Sequence, residues 1–162
     1  MRQWQPFQRL DSTQKKCSTR TFAFRCGDFP SPLAPKTIAM TYRPCFRDIG
    51  GQEKIRALWK HYYQGCSAVI FMLDSADRDR LCEVRDELHN MLGAEELQDA
   101  VLLVMANKQD LPGALATDKI TETLQLGKLG SRRTWRIEPT NAVTGTGLYE
   151  GLDWLASNLP KK

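Results

Sequence analysis

The amino-acid sequence predicts an α/β fold in three layers, a parallel sheet with helices on both faces. Two nearly continuous apolar runs, residues 66–73 and 100–106, have the length and composition of strands buried on both sides. Segments with apolar residues at helical spacing lie between and after these runs. Such alternation implies right-handed crossovers, and it places ligands beyond the carboxyl ends of the strands.

From Asp48 onward, helices and strands are predicted in turn. Helices are indicated by apolar residues three or four positions apart, and strands by continuous apolar runs. The helical sets are Ile55, Leu58, Trp59 and Tyr62; Leu81, Val84, Leu88 and Met91; Ile120 and Leu124; and Leu148, Leu152, Leu155 and Leu159. The predicted strands are residues 66–73, which end at Asp74, residues 100–106, which end at Asn107, and residues 134–137.

Length and composition favour one soluble globular domain. The chain has 162 residues, of which 41% are hydrophobic and 26% are charged. No apolar run reaches membrane-spanning length, and the first residues lack the apolar core of a signal peptide. The five cysteines show no Cys-x-x-Cys spacing and there are only two histidines, so we expect free thiols rather than a zinc site.

Charge divides the chain into two parts. Residues 1–47 hold nine Lys/Arg against two acidic residues, whereas residues 48–162 hold fourteen against seventeen. A basic segment can bind nucleic acid or anionic lipid, but these charges are scattered and five prolines interrupt any long helix. We therefore expect residues 1–45 to be an irregular basic segment, disordered or foreign to the domain, and no nucleic-acid partner. Residues 46–162 form the predicted domain.

The segment Asp48-Ile49-Gly50-Gly51-Gln52 carries the first motif. An aspartate at a strand end can hold Mg²⁺ through a water molecule. The two glycines leave room for a backbone N–H to approach a terminal phosphate oxygen. Gln52 has both an acceptor and donors, which suits it to orient an attacking water.

The second motif, Asn107-Lys108-Gln109-Asp110, follows a predicted strand. The Asp110 carboxylate can accept two parallel hydrogen bonds from guanine N1–H and the 2-amino group, which adenine lacks. Asn107 is expected to brace neighbouring loops, and the Lys108 stem to cover the face of the base. The Ala142 N–H is expected to meet guanine O6. Each motif alone is common in turns, but their order and their position after strands make them specific together.

At these residues the chain resembles the ADP-ribosylation factor (Arf) family of small GTPases. The resemblance covers about residues 46–162. It rests on residues 48–56, 58–62, 74–80, 85–89, 106–112 and 147–155. It implies a three-layer, parallel-sheet, P-loop GTPase-like fold and a GTP-regulated switch of vesicle-mediated intracellular protein transport, cytoplasmic with association to the Golgi and other endomembranes.

The resemblance also implies roles for individual residues. Gln52 resembles the catalytic glutamine of GTP hydrolysis, Asp48 the Mg²⁺-side aspartate and Gly51 the γ-phosphate contact. The cofactors implied are GTP or GDP with Mg²⁺, and the partners are exchange factors, activating proteins and effectors, bound by a monomer. The implied partner surface is Ile49, Lys54, Ile55, Trp59, His61 and Tyr62.

The N-terminal third departs from the family. The phosphate-binding pattern Gly-x-x-x-x-Gly-Lys-Ser/Thr occurs nowhere, and Gly27 is the one glycine before Gly50. Residues 21–27 are predicted to form a strand, but Lys36-Thr37 follows too late, with three prolines between. In the family the first strand is central to the sheet, so residues 21–26 must fill that place for a stable domain. Position 2 is Arg2, so no N-myristoyl anchor is expected.

Three interpretations stay open from the sequence. The chain is a competent Arf-like GTPase with an unusual N-terminal part, a nucleotide-free module that binds Arf regulators or effectors, or a truncated or mis-spliced product. By family resemblance it is a GTP-binding protein. By its residues we expect GTP binding to be weak or absent and hydrolysis to be impaired, because the loss of several charge-assisted hydrogen bonds costs roughly a thousandfold in affinity.

Overall fold

A five-stranded sheet forms the centre of the domain. The computed structural model describes residues 19–24, 47–48 and 60–160. The strands are β1 (Thr19–Phe24), β2 (Arg47–Asp48), β3 (Ala68–Asp74), β4 (Val101–Asn107) and β5 (Trp135–Pro139), in the spatial order β2-β1-β3-β4-β5.

Four α-helices lie among the described residues. They are α1 (Lys60–Tyr63), α2 (Leu81–Leu92), α3 (Thr117–Thr123) and α4 (Leu148–Asn158). Two 3₁₀ segments, Glu95–Leu97 and Leu126–Arg132, precede β4 and β5. The predicted order of strands and helices from residue 66 onward is confirmed. No helix in this described part is long and apolar enough to cross a membrane.

The two central strands are buried on both faces, as their apolar runs predict. Alternate side chains of β3 and β4 enter two separate cores. One core lies under α2 and α3 and contains Phe71, Leu73 and Leu88, while the other lies under α4 and contains Met105 and Leu155. The sheet is therefore covered by helices on both sides, which confirms the predicted three-layer architecture.

Strands β3, β4 and β5 are parallel and in close register. Asp74 is paired with Asn107 at the end of β3 and β4, and Ala106 is paired with Pro139 at the end of β5. All three carboxyl ends consequently meet at one edge of the sheet, which we call the carboxyl edge. The loops that follow these strands start there, side by side.

Strand β1 runs in the opposite direction. It is antiparallel to both neighbours, with Thr19 opposite Leu73 and Phe24 opposite Ala68. The predicted strand near residues 21–26 therefore exists and occupies an interior place in the sheet. Its direction was not predicted, because the residue types of a single strand do not encode its direction and either direction satisfies the backbone hydrogen bonds.

Arg133 ties the end of α2 to the start of β4. Its guanidinium donates to the carbonyl oxygens of Leu97 (2.6 Å), Ala100 (2.8 Å) and Leu92 (3.3 Å). Burial lowers the pKa of this guanidinium, which nevertheless stays protonated at neutral pH. The carbonyl groups at the end of α2, at the end of the first 3₁₀ segment and just before β4 thus share one hydrogen-bond donor, the Arg133 side chain.

We expect Arg133→Met to lower the free energy of unfolding by about 2–4 kcal/mol, because the carbonyls of Ala100 and Leu92 would lose the Arg133 donor and that of Leu97 would keep only the Ala100 N–H. The matched control is Arg136→Met. Arg136 is exposed, where it pairs with Glu138 at 2.7 Å and lies 6.0 Å from the centre of the Trp154 ring. Such surface contacts contribute about 1 kcal/mol or less. Urea denaturation of both variants checks the difference, and equal midpoints would refute this role of Arg133.

The residue just before helix α4 is Gly147, which no other residue can replace without strain. Gly147 has φ 75°, and a Cβ atom there would lie 2.0 Å from the Pro139 carbonyl oxygen. Gly145 also has positive φ, at 85°, but a Cβ atom there would meet nothing within 4 Å, and Gly127 has neither constraint. The three glycines form a graded series.

Alanine substitutions in this series are expected to separate backbone strain from steric clash. Gly127→Ala should leave the melting temperature almost unchanged, and Gly145→Ala should cost about 1 kcal/mol. Gly147→Ala should cost more than about 2 kcal/mol, or roughly 5 °C or more in a domain of this size. Thermal melts followed by circular dichroism test the order, and a Gly147→Ala melt like that of Gly127→Ala would contradict it.

Candidate functional site

The second motif lies at the carboxyl edge, as predicted. Asn107 ends β4, and Asp110 follows in an exposed turn. The Asn107 side-chain oxygen accepts a hydrogen bond from the Ala142 N–H at 2.9 Å. Two predicted site residues that are 35 positions apart are thus in direct contact. This contact joins the loops after β4 and β5, and the role of Asn107 in a nucleotide site stays a prediction.

The loop after β5 is shaped by its own asparagine. The Asn141 side-chain oxygen accepts from the Val143 N–H at 2.9 Å and the Thr144 N–H at 3.3 Å. This is the local turn that asparagine favours. It holds Ala142 against Asn107, so the Ala142 N–H is already used. Contact of this N–H with guanine O6 stays a prediction and requires the hydrogen bond to be shared or exchanged.

Lys108 has left-handed backbone geometry, with φ 66°. Its ammonium group lies 2.5 Å from an Asp74 carboxylate oxygen, and the other Asp74 oxygen accepts from the Ala76 N–H at 3.0 Å. The Lys108 side chain is 49% exposed, and an ion pair in that position contributes about 1 kcal/mol or less. The Lys108 ammonium can therefore leave Asp74 at small cost, and the covering of a base by its stem stays a prediction.

The Asp110 side chain is exposed. Within the described residues no hydrogen bond or ion pair uses its carboxylate. Asp110 lies three residues after the end of β4, in the loop that starts at the carboxyl edge. The structure thus places Asn107, Lys108 and Asp110 at and after the end of β4, with Ala142 in contact with Asn107. Their roles toward a nucleotide stay predictions.

Other residues of this site were not predicted. Asp74, Ser75, Gln109, Leu115 and Thr140 make hydrogen bonds that join the loops after β3, β4 and β5. One feature of the sequence could have identified Asp74: in the expected parallel sheet, the residue that ends β3 lies beside Asn107, which ends β4. Ser75 and Thr140 are both buried at this edge.

Strand direction bears on the phosphate-binding part of the site. In parallel sheets a phosphate loop follows the carboxyl end of a strand and leads into a helix. The carboxyl end of β1, Phe24, lies level with Ala68, five residues before Leu73, or about 17 Å from the carboxyl edge. Strand β1 therefore ends at the edge of the sheet opposite the residues of the second motif.

The first motif is described only in part. Asp48 ends β2, lies opposite Phe22 and is thereby level with Ile70. Because β2 is antiparallel to β1, it runs in the same direction as β3, toward the carboxyl edge. His61 and Tyr62 lie in α1. The roles of these three side chains stay predictions. Further predicted residues lie outside the described part of the chain: Ile49, Gly51, Gln52, Lys54, Ile55 and Trp59.

Comparison with known proteins agrees with this geometry. A family model described as the ADP-ribosylation factor family matches residues 36–159. The match begins earlier than the motifs, which start near residue 46. A solved structure of the Arl6 BBS3 small GTPase from Trypanosoma brucei, with bound nucleotide analogue GppNp, is similar with a TM-score of 0.65 and 38% sequence identity. The similarity covers 68% of this chain and 68% of that chain. The chain therefore belongs to the ADP-ribosylation factor family of small GTPases.

Proposed function

We propose that this protein binds guanine nucleotides through the base-binding part of the site, which is formed before the nucleotide arrives. The phosphates contribute little to the binding affinity. The observation that carries the proposal is the pair of loops at the carboxyl edge, where Asn107 already holds Ala142 and Asp110 presents an unpaired carboxylate among the described residues. The GppNp held by the Trypanosoma brucei relative supports the nucleotide class.

Weak affinity for the phosphates follows from two observations. The sequence lacks the family's phosphate-binding pattern, and β1 ends at the edge opposite the base-binding loops. Each lost charge-assisted hydrogen bond costs about 1.5–3 kcal/mol, so several together cost roughly a thousandfold or more in affinity. We therefore propose that GTP and Mg²⁺ bind weakly, and that Gln52 supports little or no hydrolysis.

A role in vesicle-mediated transport at endomembranes is proposed from family membership alone. Within that role, the direction of β1 favours a second candidate, a nucleotide-independent module that binds Arf exchange factors or effectors. This module would use Ile49, Lys54, Ile55, Trp59, His61 and Tyr62. It differs from the first candidate in one measurable respect, since its binding to an exchange factor would not change when guanine nucleotide is added.

Base recognition by Asp110 is tested by a change of specificity. Asp110→Asn replaces one acceptor oxygen by an N–H donor, which suits xanthine, whose 2-position carries a carbonyl group. We expect the variant to lose roughly tenfold or more in affinity for GTP and to gain affinity for xanthosine triphosphate. Nuclear magnetic resonance titrations with GTP, xanthosine triphosphate and ATP measure both changes.

Asp153→Asn is the matched control, because Asp153 is an exposed residue of α4 whose charge change is the same. It should retain the wild-type preference for GTP over ATP. If the wild-type protein showed equal response to GTP and ATP, or if Asp110→Asn left its preference intact, base recognition by Asp110 would be refuted.

A further inference from the structure

We propose that Gln109 is a positioning residue, which holds the base-binding segment Lys108–Asp110 in its binding conformation before a nucleotide arrives. The proposal deepens the proposed function and rests on it, since Asp110 is the residue that Gln109 positions.

The side chain of Gln109 points inward from an exposed turn. It is half-buried, while Lys108 and Asp110 on either side are exposed. Its amide nitrogen Nε2 donates to Ser75 Oγ at 2.9 Å and to the Leu115 carbonyl oxygen at 3.0 Å. An amide NH₂ group has two hydrogens, so both are used.

The main chain of Gln109 makes a third connection. Its N–H donates to the Thr140 carbonyl oxygen at 3.2 Å. Ser75 follows β3, Gln109 follows β4 and Thr140 follows β5. One residue therefore connects the loops at the ends of three adjacent strands, and it does so directly beside Asp110.

The partners of Gln109 are themselves fixed. Ser75 is fully buried, and its N–H donates to the Asn107 carbonyl oxygen at 2.9 Å. The Leu115 N–H donates to the Ser75 carbonyl oxygen, also at 2.9 Å. Hydrogen bonds thus join Gln109, Ser75 and Leu115 in a closed ring, and Asn107 is attached to this ring through Ser75. A side chain bonded to such a ring has little freedom.

The neighbours of Gln109 cannot fix the segment alone. Lys108 has φ 66°, a conformation that costs a non-glycine residue about 1 kcal/mol or more, and its ion pair with Asp74 is exposed and weak. Among the described residues Asp110 has no hydrogen-bond partner. The Leu111 N–H closes the turn by donating to the Lys108 carbonyl oxygen at 3.1 Å. The described side-chain contacts that join this turn to Ser75 and Leu115 are those of Gln109.

The test is Gln109→Met, which keeps the length and apolar stem of the side chain but removes both donors. Gln98→Met is the matched control, because Gln98 is exposed and lies before β4, at the opposite edge of the sheet. Amide hydrogen exchange of the full chain without nucleotide is the first measurement. Titration with GTP and inosine triphosphate, which lacks the 2-amino group, is the second.

We expect Gln109→Met to speed exchange of the residue 109, Leu115 and Ala142 amides by about tenfold, with no change at Leu103 or Val104 in β4. The preference for GTP over inosine triphosphate should fall from roughly tenfold or more to less than about threefold. Gln98→Met should change neither quantity. This selective loss of preference is a result that a merely structural residue would not produce.

Unchanged exchange at the three site amides would overturn the proposal, and so would faster exchange that includes Leu103 and Val104. An unchanged preference between the two nucleotides despite a loosened loop would overturn it as well. If the wild-type chain bound neither nucleotide, the proposed function would fail, and the exchange measurement alone would still decide whether Gln109 holds the segment.

Discussion

The parallel pairing of β3, β4 and β5 is the constraint on which the rest of the site depends. It brings Asp74, Asn107 and Thr140 to one edge of the sheet, although they are far apart in the sequence. Side chains buried on both faces fix this register, since a shift by one residue would exchange the two cores. The loops that hold Asp110 and Ala142 therefore rest on a rigid base.

The direction of β1 has two consequences for the sheet. Its interior strand β1 satisfies the backbone hydrogen bonds of β3 along six residues, from Thr19 to Phe24. It thereby protects the edge that a missing first strand would expose. Because β1 is antiparallel to β3, however, its amino end and not its carboxyl end lies at the carboxyl edge. A strand in this place can thus complete the sheet without leading into a phosphate loop at the carboxyl edge. Among the described residues, β1 completes the sheet and no phosphate loop is seen.

Much of this arrangement could be predicted from the sequence, and the physical reasons are specific. Apolar runs identify β3 and β4 because both faces are buried, and Asn107 and Asp110 are recognisable because they follow such a run. The direction of β1 was not predictable, since the residue types of one strand fit either direction in a sheet. The Gln109–Ser75–Leu115 hydrogen bonds were missed because they depend on how three loops meet, and no local pattern of residues encodes that meeting.

The most direct test of this account compares the dissociation constants of guanosine and of GTP with Mg²⁺ for the full chain. A site with a preformed base-binding half and no phosphate loop predicts values within about tenfold of each other, because the phosphates add few contacts. Adenosine should bind more weakly than guanosine. GTP that bound a thousandfold or more tighter than guanosine would show a complete phosphate site and contradict the account.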